Sequence, residues 1–126
     1  MPEILPENST TIDKPWGHAT PLYCDRNIEL LRVNIHQGGR SSRHFHRDKC
    51  NTFIVQSGHL TVRKFHSADS DRPYYETLLN ENSLPFRVTP RVWHEFEAMT
   101  PVQAHEIYHS VGGVPIDPQD IVRASE

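Results

Sequence analysis

Two histidines, His44 and His46, stand two positions apart in the segment RHFHRDKCN, residues 43–51. In a β-strand, residues i and i+2 project from the same face, so the two imidazoles would lie side by side. A metal bound by imidazoles needs nitrogens that converge to within about 2.0–2.1 Å of the ion. Two residues of one strand supply half of such a site, so the pair predicts a metal site that a distant part of the chain completes.

Two other side chains are the best candidates to complete this site. His94, in TPRVWHEF, opens a strand after a proline turn, and Asn51 opens the strand after His46 and offers an amide oxygen. The alternative is a pair on the surface, because the chain contains nine histidines and such a pair can arise by chance. Four of the remaining histidines are predicted to be surface residues: His18, His36, His59 and His66.

The elements around these residues are predicted to be short strands separated by turns. The segment IELLRVNI places Leu31, Val33 and Ile35 on one face, with a period of two. The runs NTFIVQ and HLTVRKF flank a glycine turn and predict a β-hairpin. Many short strands at even spacing indicate an all-β sandwich or barrel, and the length indicates a single domain spanning residues 1–126. Residues 1–15 are interpreted as an N-terminal arm and residues 111–126 as a C-terminal tail.

Composition argues against several classes of partner. The net charge is −3 with both signs mixed, which does not favour nucleic-acid binding, and no apolar run is long enough to predict a membrane span. The first residues lack the basic and apolar regions of a secretory signal, so a cytoplasmic protein is expected. An N-terminal arm on a small barrel favours a homodimer, because exposed edge strands are often covered by such an exchange.

The spacing of glycines and prolines around the histidines resembles the two sequence motifs of the cupin superfamily. Gly38 lies six residues before His44, Gly58 lies twelve residues after His46, and a proline lies four residues before His94. The resemblance implies a small double-stranded β-barrel of the jelly-roll type, with a metal in its mouth or interior.

Two positions depart from the cupin motifs. The glycine of the second motif falls on Arg91, where a residue other than glycine is expected to need a turn with negative φ. The glutamate of the first motif falls on Asn51. A neutral amide leaves the ion with its full double charge, so its affinity should fall and a bound water should become more acidic.

The chain most resembles the cupin domain of type II phosphomannose isomerases. The resemblance rests on KPWG (14–17), LRVNIHQGGRSS (31–42), HFHRDKCNTFIVQSG (44–58) and DIVR (120–123). The zinc ligands of that family fall on His44, His46, Asn51 and His94. Two arginines of that family, the one just before its glutamate and the one in its closing motif, fall on Lys49 and Arg123.

This resemblance implies a metal-dependent aldose–ketose isomerase that acts on a small polyhydroxy substrate, a sugar or sugar phosphate. Zinc or manganese is the expected metal, with iron as the alternative. The candidate catalytic residues are Lys49 and Arg123, which would hold a phosphate or ring oxygen, and Glu106 as the base. His105 is the other candidate base, because alternation along a strand lets only one of the two face the interior.

Two other functions remain open at this point. Cupins that oxidise small thiols use three histidines on iron, a pattern similar to His44, His46 and His94, and Cys50 lies near the ligand segment. A non-catalytic sugar-binding module is the third reading, favoured by the missing glutamate.

Overall fold

The protein is built from strands and turns. A computed structural model describes residues 11–124 and the backbone of Glu3–Ile4. Nothing in residues 11–124 forms a helix capable of crossing a membrane. The strands are β1 (Glu3–Ile4), β2 (Ile12–Lys14), β3 (Gly17–Asp25), β4 (Ile28–Ile35), β5 (His44–Phe45), β6 (Lys49–Ser57), β7 (Leu60–Phe65), β8 (Tyr75–Leu79), β9 (Phe86–Val88), β10 (Trp93–Ala98), β11 (Val102–Ser110) and β12 (Val122–Arg123).

These strands form two antiparallel sheets. The larger sheet has the order β1-β3-β4-β11-β6-β9, with β2 also paired to β3, and the smaller has the order β12-β5-β10-β7-β8. The predicted all-β, jelly-roll-like fold is confirmed, although the two sheets do not close into one continuous barrel. Within the regions expected to be an arm and a tail, β2 pairs with β3 and β12 pairs with β5. Apart from the backbone of β1, residues 1–10 lie outside the described part of the chain.

The core consists of apolar side chains on the strands' inner faces. On β4 the predicted alternation holds: Val33 and Ile35 are buried, and the half-buried Leu31 packs against the same cluster. Phe53 on β6 and Phe96 on β10 meet edge to face across the interior, with centroids 6.1 Å apart. This core fixes the phase of β6 and β10, and therefore decides which polar residues of those strands point inward.

The hairpin predicted around Gly58 is wrong. Strand β6 pairs with β11 and β9 in the larger sheet, whereas β7 pairs with β10 and β8 in the smaller one. The glycine turn therefore carries the chain from one sheet to the other. Gly58 has φ +88°, and a Cβ there would lie 2.1 Å from the carbonyl oxygen of Pro101, so the crossing requires glycine.

The expectation of negative φ at Arg91 is also wrong. Arg91 has φ +65°, in the left-handed region that favours glycine. Its backbone N–H donates to the carbonyl oxygen of His46 at 2.7 Å. This bond ties the turn before β10 to the segment that carries the histidine pair, which explains why the turn keeps a glycine-like conformation without glycine.

Candidate metal centre and cavity

Three histidines from two distant segments converge in the interior. Their ring centroids lie 4.4 Å apart for His44 and His94, 5.0 Å for His44 and His46, and 5.5 Å for His46 and His94. One nitrogen from each ring can be chosen so that all three lie within 4.8 Å of one another. The strand pairing produces this meeting, because His44 on β5 lies directly opposite His94 on β10.

Hydrogen bonds fix the orientation of each imidazole. The Nδ1 atoms of His44, His46 and His94 lie 2.7, 2.7 and 2.8 Å from the carbonyl oxygens of Ser42, Asp120 and Val92, respectively. A carbonyl oxygen only accepts, so each Nδ1 carries the proton and each Nε2 keeps its lone pair. Metal-binding histidines are commonly oriented by such a bond on the second nitrogen.

Three buried polar atoms of the described residues lack a hydrogen-bond partner: His46 Nε2, His94 Nε2 and Asn51 Oδ1. Each of these atoms has a free lone pair, which is what a ligand offers to a cation. Three imidazole nitrogens with one amide oxygen suit a first-row divalent metal, in particular zinc, for which imidazole is a favoured ligand. The donor set therefore fits the zinc that the resemblance to phosphomannose isomerases implies.

Burial keeps these imidazoles neutral. It lowers the pKa of His44 and of His46 to about 4, and it lowers the pKa of His94 well below the ordinary value. Only a neutral imidazole can bind a metal, so the three rings are in the ligating form at neutral pH.

The buried side chain of Glu106 is hydrogen-bonded to that of Asn51. The Nδ2 of Asn51 donates to Oε1 of Glu106 at 3.4 Å, and the hydroxyl of Tyr108 donates to Oε2 at 3.5 Å. Burial raises the pKa of Glu106 to about 7. Of the two candidate bases on β11, Glu106 is the buried one, whereas His105 is half-exposed on the opposite face.

The metal centre opens onto a cavity of about 480 Å³. His44, His46 and all three candidate catalytic residues, Lys49, Glu106 and Arg123, line it. Lys49 is buried; its Nζ donates to the carbonyl oxygen of Asp117 at 2.8 Å and lies 4.5 Å from the Tyr108 ring centroid. Trp16, Glu29, Arg40 and Tyr108 also line the cavity.

Sequence reasoning missed two residues that shape the site. Tyr108 contacts His46 edge to face, at 5.2 Å between centroids, and lies two residues from Glu106 on β11. The alternation that places Glu106 inside also places Tyr108 there, so the strand's phase would have identified it. Asp120 orients His46 through its carbonyl oxygen, while its carboxylate accepts from the N–H groups of Arg47 and Asp48. Asp120 lies 74 positions from His46, and no local pattern signals the contact.

A charged cluster covers the outer face of β10. Glu95, which follows His94, is buried and accepts from Arg40 at 2.6 Å and from Arg63 at 3.1 Å. Arg43, which precedes His44, lies 3.8 Å from its other carboxylate oxygen. The cluster therefore links the two strands that carry His44 and His94.

No protein-family profile matches this chain, and no curated protein does. Several solved structures share its fold. The capsular polysaccharide assembling protein CapF from Staphylococcus aureus superposes with a TM-score of 0.71 at 18% identity, over 94% of this chain and 32% of that one. The chain thus spans about a third of CapF.

Two smaller proteins match over most of their own length. An RmlC-like cupin from Shewanella frigidimarina has a TM-score of 0.67 at 13% identity, over 86% of this chain and 89% of that one. Streptomyces PAC13, in a structure with uridine, has a TM-score of 0.72 at 15% identity, over 96% and 88%. The TM-scores show a shared fold, whereas identities this low do not show a shared activity. Together with the two antiparallel sheets, the superpositions show that the chain has the cupin fold, a double-stranded β-helix.

Proposed function

We propose that the protein is a metal-dependent aldose–ketose isomerase that acts on a sugar or sugar phosphate. One observation carries the proposal: a cluster of three imidazoles, two of which line a cavity of about 480 Å³, shares that cavity with Glu106, a buried carboxylate with a pKa of about 7. The resemblance to type II phosphomannose isomerases supports the same reaction class. CapF is a capsular polysaccharide assembling protein, and the PAC13 structure contains uridine; both agree with a polyhydroxy ligand.

The reaction requires a base that removes a proton from the carbon next to a carbonyl and returns it to the neighbouring carbon. A group with a pKa near the working pH performs both steps efficiently. Glu106 has this property and lines the cavity. A divalent cation held by His44, His46, His94 and Asn51 would act as a Lewis acid that polarises the substrate carbonyl.

Lys49 and Arg123 both line the cavity and supply positive charge to it. The bond from Lys49 Nζ to the carbonyl of Asp117 fixes the position of the ammonium group, and two of its protons remain available to substrate oxygens. These two cations favour substrates that carry a phosphate, and they would orient the sugar so that its carbonyl end faces the histidines.

The test is proton exchange in deuterated water. Protein purified without a metal-affinity tag is loaded with Zn²⁺ or Mn²⁺ and incubated with mannose 6-phosphate, fructose 6-phosphate, mannose or lyxose. We expect isomerisation with deuterium at C1 of the ketose formed from an aldose and at C2 of the aldose formed from fructose 6-phosphate. Glu106→Gln should slow isomerisation and deuterium incorporation by about 10²–10⁴-fold while the metal stays bound. Absence of turnover and of deuterium incorporation with every sugar, in protein of full metal content, would reject the isomerase and favour a sugar-binding module.

A second candidate, a three-histidine iron dioxygenase, is favoured by one observation. The cluster that can ligate a metal contains three imidazoles and no carboxylate. Cys50 adds no support, because alternation along β6 points its buried side chain away from the face that carries Lys49 and Asn51. Oxygen consumption with small thiols by the Fe²⁺-loaded protein would identify this activity.

A further inference from the structure

The amide of Asn51 and the carboxylate of Glu106 form a buried pair on neighbouring strands. Asn51 lies on β6 and is 1% exposed, and Glu106 lies on β11 and is 5% exposed. Tyr108, the cross-strand partner of Asn51, donates to the second carboxylate oxygen. The carboxylate is therefore held between two donors, one on each oxygen.

This arrangement decides which way the amide points. The bond from Asn51 Nδ2 to Glu106 Oε1 places the amide nitrogen toward β11. The oxygen must then point the other way, and Oδ1 is indeed buried without a partner, like His46 Nε2 and His94 Nε2. A freely rotating amide could equally present its NH₂ group to a cation, which would repel it.

We propose that Glu106 is a positioning residue for metal binding: it holds the amide of Asn51 with Oδ1 directed at the cation site of the three histidines. The negatively charged carboxylate of Glu106 then lies next to the amide that supplies the oxygen ligand, joined to it by the hydrogen bond from Nδ2. This role goes beyond the proposed isomerase activity, because it concerns metal affinity whatever reaction follows.

The test is a double-mutant cycle on Co²⁺ affinity, measured at about pH 8 by competition with a chelator. Glu106→Ala should weaken binding by about 10–100-fold, the usual cost of losing an outer hydrogen-bond partner. Asn51→Ala removes the oxygen ligand itself and should weaken binding at least as much. If Glu106 acts through Asn51, the double variant binds no more weakly than the weaker single variant, because the two residues act as one unit. The visible absorption bands of bound Co²⁺ should change in the same way in both single variants.

Two further variants separate orientation from charge. Glu106→Gln keeps an oxygen that accepts from Asn51 Nδ2, so it should recover most of the affinity lost in Glu106→Ala. Glu29→Gln removes a different carboxyl of the same cavity and should leave the affinity close to that of the wild type. Circular dichroism of each metal-free variant checks that the fold is retained.

Three results would overturn the proposal: unchanged affinity in Glu106→Ala, additive losses in the double variant, or no Co²⁺ binding by the wild type. The cycle does not depend on turnover. Failure of the isomerase assay with a coupled Asn51–Glu106 pair would therefore reject the reaction and leave the positioning role intact.

Discussion

At the scale of single residues, His94 is the residue that completes the candidate metal centre. It is 1% exposed, and it lies opposite His44 across the β5–β10 pairing. His44 and His46 come from one short segment and supply only half of a site. The site exists because the turn before β10 brings a third imidazole to the same point.

His94→Ala should therefore abolish metal binding. Removing a direct ligand should cost more than the roughly 10–100-fold that loss of an outer partner costs. The measurement is the Zn²⁺ and Co²⁺ content and affinity of the purified variant. His59→Ala, at an exposed position, is the matched control and should bind like the wild type. Normal affinity in His94→Ala, with its fold intact by circular dichroism, would contradict the site.

The candidate ligands could be read from the sequence because their positions obey local rules. His44 and His46 follow from the period of a strand, and His94 from the proline turn that precedes it. The choice between His105 and Glu106 could not be made, because a one-residue change of strand phase exchanges the two faces. Only the pairing of β11 with β4 and β6 in the folded sheet settles that phase.

At the scale of elements, strands were easier to predict than their partners. The alternation in IELLRVNI and the runs on both sides of Gly58 correspond to β4, β6 and β7. A glycine turn between two β-rich runs gives the same local signal whether the chain reverses within a sheet or crosses to another. The need for glycine at position 58 comes from the close approach of Pro101, which is distant in sequence.

The turn before β10 offers a prediction on stability. The left-handed conformation of Arg91, with φ +65°, costs a residue that has a Cβ about 1–2 kcal/mol. Glycine avoids this cost but loses more backbone entropy on folding. Arg91→Gly should therefore raise the free energy of unfolding by up to about 1 kcal/mol, measured by urea denaturation. Arg91→Ala keeps the Cβ and is the matched control; an equal gain in both variants would mean that the arginine side chain, and not the backbone, is the cause.

At the scale of the whole molecule, the fold places its ionisable groups on two sides of one sheet. The inner face of β10 carries His94 toward His44 and His46, and the outer face carries Glu95 among arginines. The outer group is paired with opposite charge, whereas the inner groups are neutral imidazoles. Acid is therefore expected to act mainly through protonation of these buried imidazoles, which destabilises the folded state.

This arrangement predicts that the metal-free protein loses stability as the pH falls from about 6.5 toward 4. His44 and His46 have folded pKa values of about 4 against 6.5 for an exposed histidine, and the pKa of His94 is also lowered. Near pH 5 the unfolded chain thus binds about three protons that the folded protein does not bind, so stability rises with pH. Glu106 opposes this trend, because its raised pKa of about 7 lets the folded state hold one extra proton.

The net difference near pH 5 is therefore about two protons, and the free energy of unfolding should rise by about 2–3 kcal/mol per pH unit there. Urea denaturation of chelator-treated protein at several pH values measures this slope. His46→Gln removes one of the titrating groups and should reduce the slope by about 1.4 kcal/mol per pH unit, the contribution of one proton. If the free energy of unfolding stays flat or falls as the pH rises from 4.5 to 6.5, the three imidazoles are accessible to protons in the folded state. They are then not held as neutral ligands facing a shared site.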